Sequence, residues 1–171
     1  MAISDQELKV VDRFFQDKGK TLDGPHPDWK ESSRGDWEAR WPIIETDKIT
    51  RAHLRFRVSM GSHEYPSIMV IFRDNCVTRL DRVKNSICEQ NPISAIRLGL
   101  PPSVCGTHIH SWPDNRSFVR IRNRWELPVR RPVEDNMKRL KHMFYWFSNE
   151  IGITLTPEQR GFDIPKRTLF D

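Results

Sequence analysis

Apolar and polar residues alternate most regularly over residues 52–60 of this 171-residue chain. From Leu54 onward every second side chain is apolar, and histidine, arginine and serine fill the positions between. This period of two predicts a strand with one face in the core and a basic opposite face. Residues 67–72 and 76–81 predict two more strands on either side of a turn sequence, so the three segments predict an antiparallel meander.

Three further segments extend the predicted sheet. Residues 37–44 begin with aromatic and charged side chains in alternation, and residues 104–112 end at a proline-containing turn sequence. In residues 118–124 arginine occupies every second position near the end, which predicts a last strand with a basic face. We therefore expect an antiparallel sheet of about five strands within residues 37–130.

Helices are predicted at both ends of the sheet, which makes the expected fold class α+β. Residues 4–19 begin with Ser4 and Glu7 at the spacing of a capping box and carry one apolar stripe. Residues 132–152 carry a second stripe whose members are separated by four or three residues. This spacing predicts a long C-terminal helix that packs on the sheet.

The remaining segments are rich in residues that interrupt helices and strands. Residues 20–36 are predicted to form a loop, and the proline-broken residues 153–171 an extended tail. A chain of this length can bury a core of its own. We therefore expect residues 1–171 to form a single domain.

The positive charge is concentrated in the middle of the chain. Residues 51–131 contain 14 Lys and Arg against 6 Asp and Glu, a local charge of +8 within a total of +5, and 13 of these cations are arginine. The planar guanidinium suits phosphates and stacks on bases. The charge therefore favours a nucleic-acid partner, and a solvated basic face is the simpler alternative.

Several classes of protein find no support in the sequence. No apolar run approaches the roughly 20 residues that span a bilayer, and the N-terminus lacks a secretory pattern. Three cysteines with no C-x-x-C spacing predict free thiols in a reducing compartment, so we expect a cytoplasmic protein without a structural zinc site. Nucleotide-loop, serine-hydrolase and zincin motifs are absent.

His108 and His110 are the strongest candidates for chemistry. They flank a single residue, so an extended backbone points both imidazoles to one face. Histidine titrates near neutral pH, and two of them suit RNA cleavage by 2′-hydroxyl attack, one as base and one as acid. The alternative without chemistry is a pair of hydrogen-bonded strand histidines.

A metal site is a further hypothesis for the same pair. Zinc needs at least a third protein ligand, and Asp81, His53 or Cys105 are candidates that the spacing does not separate. Cys105 also allows a cysteine–histidine nucleophile pair.

Arg79 and Asp81 are two residues apart on a predicted strand and therefore share a face. Asp81 would orient a histidine by accepting its ring N–H, and Arg79 with Arg122 would hold a phosphate. A salt bridge at the strand end is the structural alternative. Further expected contacts with nucleic acid are the arginines and the tryptophan Arg55, Arg57, Arg120, Arg122, Arg124 and Trp112.

Four short motifs carry a resemblance to known proteins. They are Val77-Thr78-Arg79-Leu80-Asp81, Asn91-Pro92, Gly106-Thr107-His108-Ile109-His110 and Trp125-Glu126-Leu127-Pro128. The combination resembles small proteins associated with prophages and mobile elements, and is similar to TumE-type toxins of toxin–antitoxin pairs. That group is related to RelE-like ribonucleases, with a helical N-terminus followed by an antiparallel sheet.

The resemblance covers roughly residues 50–130 and includes departures from the pattern. Thr107 stands where such proteins have proline, and no asparagine follows Asp81. The histidine that such proteins often have before the N-P turn is absent, and the nearest side chain there that could do chemistry is the thiol of Cys88.

The leading functional hypothesis is a metal-independent endoribonuclease of a toxin–antitoxin or mobile-element system. His108, His110, Asp81 and Arg79 would be the catalytic residues, and no cofactor is expected. RNA would be the substrate, and a cognate antitoxin or a defence-system protein would be the protein partner. The alternative is a non-catalytic module of a phage defence or anti-defence system that binds nucleic acid or protein.

Overall fold

The computed structural model describes residues 2–59, 61–134, 137–162 and 164, with the backbone alone at His63. The fold is α+β, with a helix before and a helix after a large antiparallel sheet. The helices are α1 (Asp5–Gln16), α2 (Ile93–Ile96), α3 (Trp112–Arg122) and α4 (Leu140–Glu150). The strands are β1 (Thr21–Leu22), β2 (Asp28–Glu31), β3 (Trp37–Ile44), β4 (Ala52–Ser59), β5 (Ser62–Phe72), β6 (Asn75–Asp81), β7 (Cys88–Gln90), β8 (Ser103–Cys105), β9 (His108–His110) and β10 (Arg131–Pro132).

The main sheet contains eight of the described strands. Their order is β1-β3-β4-β5-β6-β9-β10, with β2 also beside β3, and every pair is antiparallel. The meander predicted from the alternating segments is the centre of this sheet, as β4, β5 and β6. Strands β7 and β8 form a separate two-stranded ribbon.

One face of the sheet carries the core, under α1 and α4. Trp41 of β3 stacks on Phe144 of α4 with ring centroids 5.5 Å apart, and Phe14 of α1 meets Phe72 of β5 at 5.4 Å. Helix α1 begins with the predicted capping box, in which Ser4 Oγ accepts from the Glu7 N–H. The opposite sheet face therefore remains for polar side chains.

The predicted strand over residues 118–124 is wrong, because this segment belongs largely to α3. Ser111 caps the helix by accepting from the Asp114 N–H, Pro113 lies in the first turn, and Asn123 ends it in the left-handed conformation. Of the four buried residues of α3, Trp112, Asn115 and Val119 have helical spacing. One of them is polar, so the hydrophobic pattern does not reveal the helix.

The predicted strand over residues 104–112 is divided into β8, β9 and the first residue of α3. Gly106 separates the two strands with φ of +74°, and a Cβ there would lie 2.6 Å from Asn85 Oδ1. Only glycine fits such a position without strain. The turn sends β8 to the ribbon and leaves β9 in the main sheet.

Two other segments differ from the sequence-based prediction, and a third, the tail, is described only in part. The predicted loop over residues 20–36 contains β1 and β2, which pair with β3, so the sheet has more than the expected five strands. The C-terminal helix begins at Leu140 rather than 132, because Arg131–Pro132 pairs with β9 as β10. In the tail, Phe162 packs in the core, and most residues beyond it lie outside the described part.

The expectation of three free thiols is also wrong. Cys88 and Cys105 are direct partners in the β7–β8 ribbon and form a disulfide. Cys76 keeps its thiol, and burial raises the pKa of this thiol to about 11, which disfavours the reactive thiolate at neutral pH. Among the described helices, none has the length and apolar character needed to cross a membrane.

Candidate functional site

Pairing between β6 and β9 brings the four proposed catalytic side chains together. Arg79 lies opposite His110, and Asp81 lies opposite His108. Directly opposed residues of an antiparallel pair project from the same sheet face. The four therefore form one cluster, called here the His–Asp site, on the sheet face opposite the core.

The backbone fixes the protonation pattern of both imidazoles. His108 Nδ1 lies 2.8 Å from the Gly106 carbonyl oxygen, and His110 Nδ1 lies 2.5 Å from the Leu127 carbonyl oxygen. A carbonyl oxygen can only accept, so each Nδ1 carries a proton. In the neutral ring the Nε2 atom is then left with its lone pair.

Both Nε2 atoms face the same carboxylate oxygen. Asp81 Oδ2 lies 3.4 Å from His110 Nε2 and 3.8 Å from His108 Nε2. The other oxygen, Oδ1, accepts from Ser67 Oγ at 2.6 Å. Asp81, His108 and His110 form a described cluster of potential metal ligands, since one ligand atom of each residue lies within 4.8 Å of the others.

Arg79 supplies the cation of the His–Asp site. Its Nε donates to Asp81 Oδ2 at 2.5 Å, and its Nη2 lies 3.1 Å from His110 Nε2. Guanidinium only donates, so His110 Nε2 accepts this bond as a lone pair. With its proton on Nδ1, His110 donates to the Leu127 carbonyl and accepts from Arg79.

Burial differs strongly among the four residues. The side chains of His108 and His110 are 3% and 1% exposed and that of Asp81 is 12% exposed, whereas Arg79 is 40% exposed. The site is therefore closed at the histidines and open at the arginine.

Burial and neighbouring charges set the protonation of Asp81 and His108. Burial lowers the pKa of His108 and outweighs the hydrogen bond to the Gly106 carbonyl, which favours the neutral ring at pH 7. Burial raises the pKa of Asp81, but its polar contacts, among them the charge of Arg79 and the hydrogen bond from Ser67, outweigh it and lower the pKa to about 2. A carboxylate thus faces a neutral imidazole.

Two asparagines hold the segment that contains the Leu127 carbonyl. Asn115 donates to the Val129 carbonyl and accepts from the Val129 N–H, and Asn91 makes the same pair of bonds with Arg130. Asn115 is fully buried. Sequence reasoning missed these positioning residues, and the only signal was the Asn91-Pro92 motif.

Arg55 and Arg57 share the sheet face of the His–Asp site. Across the sheet, Arg55 aligns with Met69, Arg79 and His110, and Arg57 aligns with Ser67 and Asp81. Two strand spacings of about 4.8 Å put Arg55 roughly 10 Å from Arg79. Their charges are partly neutralised, because Arg55 pairs with Glu38 at 2.8 Å and Arg57 with Asp36 at 2.9 Å.

The other expected nucleic-acid contacts are not placed at the site. Arg120 and Arg122 lie near the end of α3, about 12–15 Å along the helix from its start after His110, and two residues apart they point in nearly opposite directions. Arg124 follows the helix. A phosphate clamp made by Arg79 with Arg122 is therefore not formed in this structure.

Trp112 is part of the core and does not offer its ring to a base. Its side chain is buried, its Nε1 donates to Asp12, and its ring stacks between Phe15 and Trp125. The helix that begins at Trp112 turns this ring away from the histidines. The prediction that Trp112 stacks on a base is therefore corrected, because its ring packs in the core.

Only one of the three candidate third ligands reaches the histidine pair. Cys105 is consumed by its disulfide, which also removes it as a nucleophile. His53 lies on β4, separated from β9 by two strands, or about 14 Å. Asp81 is the residue that the fold brings to the two Nε2 atoms.

In comparisons with known proteins, no family model, curated protein or solved structure matches the chain.

Proposed function

We propose that this chain is a toxin-like endoribonuclease of a toxin–antitoxin or mobile-element system, with its reaction centre at the His–Asp site. One observation carries the proposal. Two histidines with fixed tautomers face a carboxylate and a half-exposed arginine on one sheet face. This combination provides bases, an orienting anion and a phosphate contact within a few ångströms.

The surroundings of the site favour a phosphate-containing substrate. Arg79 is exposed at the boundary between the buried histidines and the open sheet face. Arg55 and Arg57 continue the basic row across the neighbouring strands. An RNA strand lying on this face would place a phosphate at Arg79, with its backbone running over Arg55.

The reaction that fits is attack of a ribose 2′-hydroxyl on the adjacent phosphorus. A base takes the 2′-proton, the new oxygen–phosphorus bond forms as the bond to the 5′-oxygen breaks, and an acid protonates that oxygen. Neutral His108 fits the role of base, because its Nε2 has a lone pair, and the imidazolium that forms can return the proton to the 5′-oxygen. Arg79 would stabilise the charge that develops on the phosphate.

The purified protein is expected to cleave a mixed RNA, and the His108→Ala/His110→Ala variant should be slower by at least about 100-fold. The reason is that the variant loses both groups able to move protons. Gel analysis of RNA incubated with EDTA, and in parallel with zinc, measures the rates. The matched control is His26→Ala/His142→Ala, which removes two exposed histidines and should cleave like the wild type. No cleavage in either buffer, or equal cleavage by the site variant, would contradict the proposal.

An apolar groove favours a second function, binding of a partner protein. Ile93 is 83% exposed and Ile121 is 73% exposed, and both line a groove of about 510 Å³ between α2 and α3. Arg97 and Arg122 also line this groove. Exposed apolar patches mark interaction sites, and the arginines complement an acidic partner. The occupant that fits is an amphipathic helix with acidic flanks, as a cognate antitoxin could supply.

Binding of the cognate antitoxin should be at least about tenfold weaker for Ile93→Ser/Ile121→Ser, because the apolar groove is lost. Calorimetry of the purified pair measures the affinity. Ile49→Ser, at an exposed isoleucine outside the groove, is the control. Unchanged affinity in the groove variant would contradict this second function.

A further inference from the structure

Three acceptor atoms meet at the His–Asp site. They are His108 Nε2, His110 Nε2 and Asp81 Oδ2. Each Nδ1 donates to a backbone carbonyl, so both neutral rings present lone pairs to the carboxylate. Converging lone pairs in a buried place need a hydrogen-bond donor or a cation between them.

The spacing of these atoms suits a metal ion. Two ligand atoms that are each about 2.1 Å from a tetrahedral zinc ion lie roughly 3.4 Å apart. Asp81 Oδ2 lies 3.4 Å from His110 Nε2 and 3.8 Å from His108 Nε2. Small side-chain rotations therefore suffice to bring all three atoms to a single ion.

The hydrogen bonds made by the remaining polar atoms of the three residues match those that metal ligands usually make. A ligating histidine usually donates its other N–H to a carbonyl or carboxylate, which fixes the ring. Gly106 and Leu127 supply these carbonyls, and Ser67 holds the second oxygen of Asp81. Direct pairing of β6 with β9 fixes the backbone beneath the ligands.

Arg79 occupies the cation position in this structure. Its guanidinium contacts Asp81 Oδ2 and His110 Nε2, whereas His108 Nε2 lies 3.8 Å from the carboxylate, beyond hydrogen-bond distance. Because the Arg79 side chain is 40% exposed, it can turn towards solvent without opening the core. Ion binding then requires displacement of one side chain.

We propose that Asp81, His108 and His110 bind one divalent first-row metal ion, of which Zn²⁺ is the best match, and that Arg79 moves aside when the ion enters. Two imidazoles, a carboxylate and an open position are the donor set of hydrolytic zinc sites. The displaced guanidinium is free to contact a substrate phosphate. Binding of the ion stands by itself, and only its role in RNA cleavage rests on the proposed function.

The metal supplies the base that the buried histidines would otherwise provide. Water on zinc can lose a proton near neutral pH. The resulting hydroxide takes the 2′-proton of RNA and becomes water, and this water returns a proton to the leaving 5′-oxygen. The products are a 2′,3′-cyclic phosphate and a 5′-hydroxyl, so no other reactant is needed.

Metal binding is measured on the full chain, stripped with EDTA and dialysed, without RNA. Calorimetry with Zn²⁺ and visible absorption with Co²⁺ should both give one ion per chain. His108→Ala, His110→Ala and Asp81→Asn should each bind at least about 100-fold more weakly. His26→Ala/His142→Ala is the control for histidines elsewhere, and circular dichroism checks the fold of every variant.

Arg79→Ala provides a readout that general damage to the fold would not give. Because the competing guanidinium is removed, we expect this variant to bind Zn²⁺ more tightly than the wild type. Failure of the wild type to bind either ion, or equal binding by the ligand variants, would overturn the metal proposal. RNA cleavage in EDTA would overturn the role of the ion in the reaction while supporting the proposed function, whereas one bound ion without cleavage would support the metal site alone.

Discussion

Asn115→Ala is expected to lower the free energy of unfolding by about 3 kcal/mol. The side chain is fully buried and makes three hydrogen bonds, two of them with the backbone of Val129 and one with the Ser111 carbonyl. Alanine leaves the Val129 N–H and carbonyl without these partners. Each unsatisfied buried group costs about 1–3 kcal/mol.

Chemical denaturation of Asn115→Ala beside Ser117→Ala measures this cost. Ser117 lies on the exposed side of the same helix, so its replacement should change stability by less than about 0.5 kcal/mol. Asn91→Ala makes an informative comparison, because Asn91 holds Arg130 similarly but is only partly buried. A loss below about 1 kcal/mol for Asn115→Ala would show that the hydrogen bonds between Asn115 and Val129 do not stabilise the fold.

Asp81→Asn is expected to reduce RNA cleavage by roughly 10³-fold. Asparagine has nearly the same shape, so strand pairing and the Ser67 contact can persist. The variant lacks the negative charge that faces His110 and Arg79. It therefore loses both the anion that orients the cluster and a ligand for a divalent ion.

The stability change in Asp81→Asn should be far smaller than the change in rate. The lowered pKa of Asp81, about 2 against 3.8, corresponds to about 2 kcal/mol of stabilisation by its charge. That contribution is complete above pH 4 and disappears as the pH falls through 2. At neutral pH the variant should thus lose at most about this amount and remain folded.

Local patterns predicted the central strands and the first helix correctly. Alternation in β4 survives because one face is buried against aromatic side chains and the other is charged. The capping box at Ser4 depends only on neighbours three residues apart. Such features are specified within one element, which is why sequence reasoning finds them.

The site was predicted in part, for the same reason. The shared face of His108 and His110 follows from strand geometry, and so does that of Arg79 and Asp81. Their direct opposition in β6 and β9 depends on register between strands that are 27 residues apart at His108 and Asp81. The residue pattern does not specify this register, so the direct opposition is known only from the structure.

Long-range contacts account for what the sequence did not reveal. The alternating arginines of residues 120–124 predicted a strand where the structure has α3. The buried stripe of this helix contains the polar Asn115, which is buried because it bonds to Val129, 14 residues later. The disulfide arises because a separate ribbon puts Cys88 opposite Cys105. The hydrogen bond that fixes His110 likewise requires the Leu127 carbonyl, whose segment is held by Asn115 and Asn91.

The most direct test of the central claim is the single-turnover rate of RNA cleavage by wild type and Asp81→Asn, measured in the buffer where the wild type is fastest. Circular dichroism at the assay temperature confirms that both are folded. We predict a rate about 10³-fold lower for the variant. A folded Asp81→Asn protein that cleaves RNA within about threefold of the wild-type rate would contradict the account.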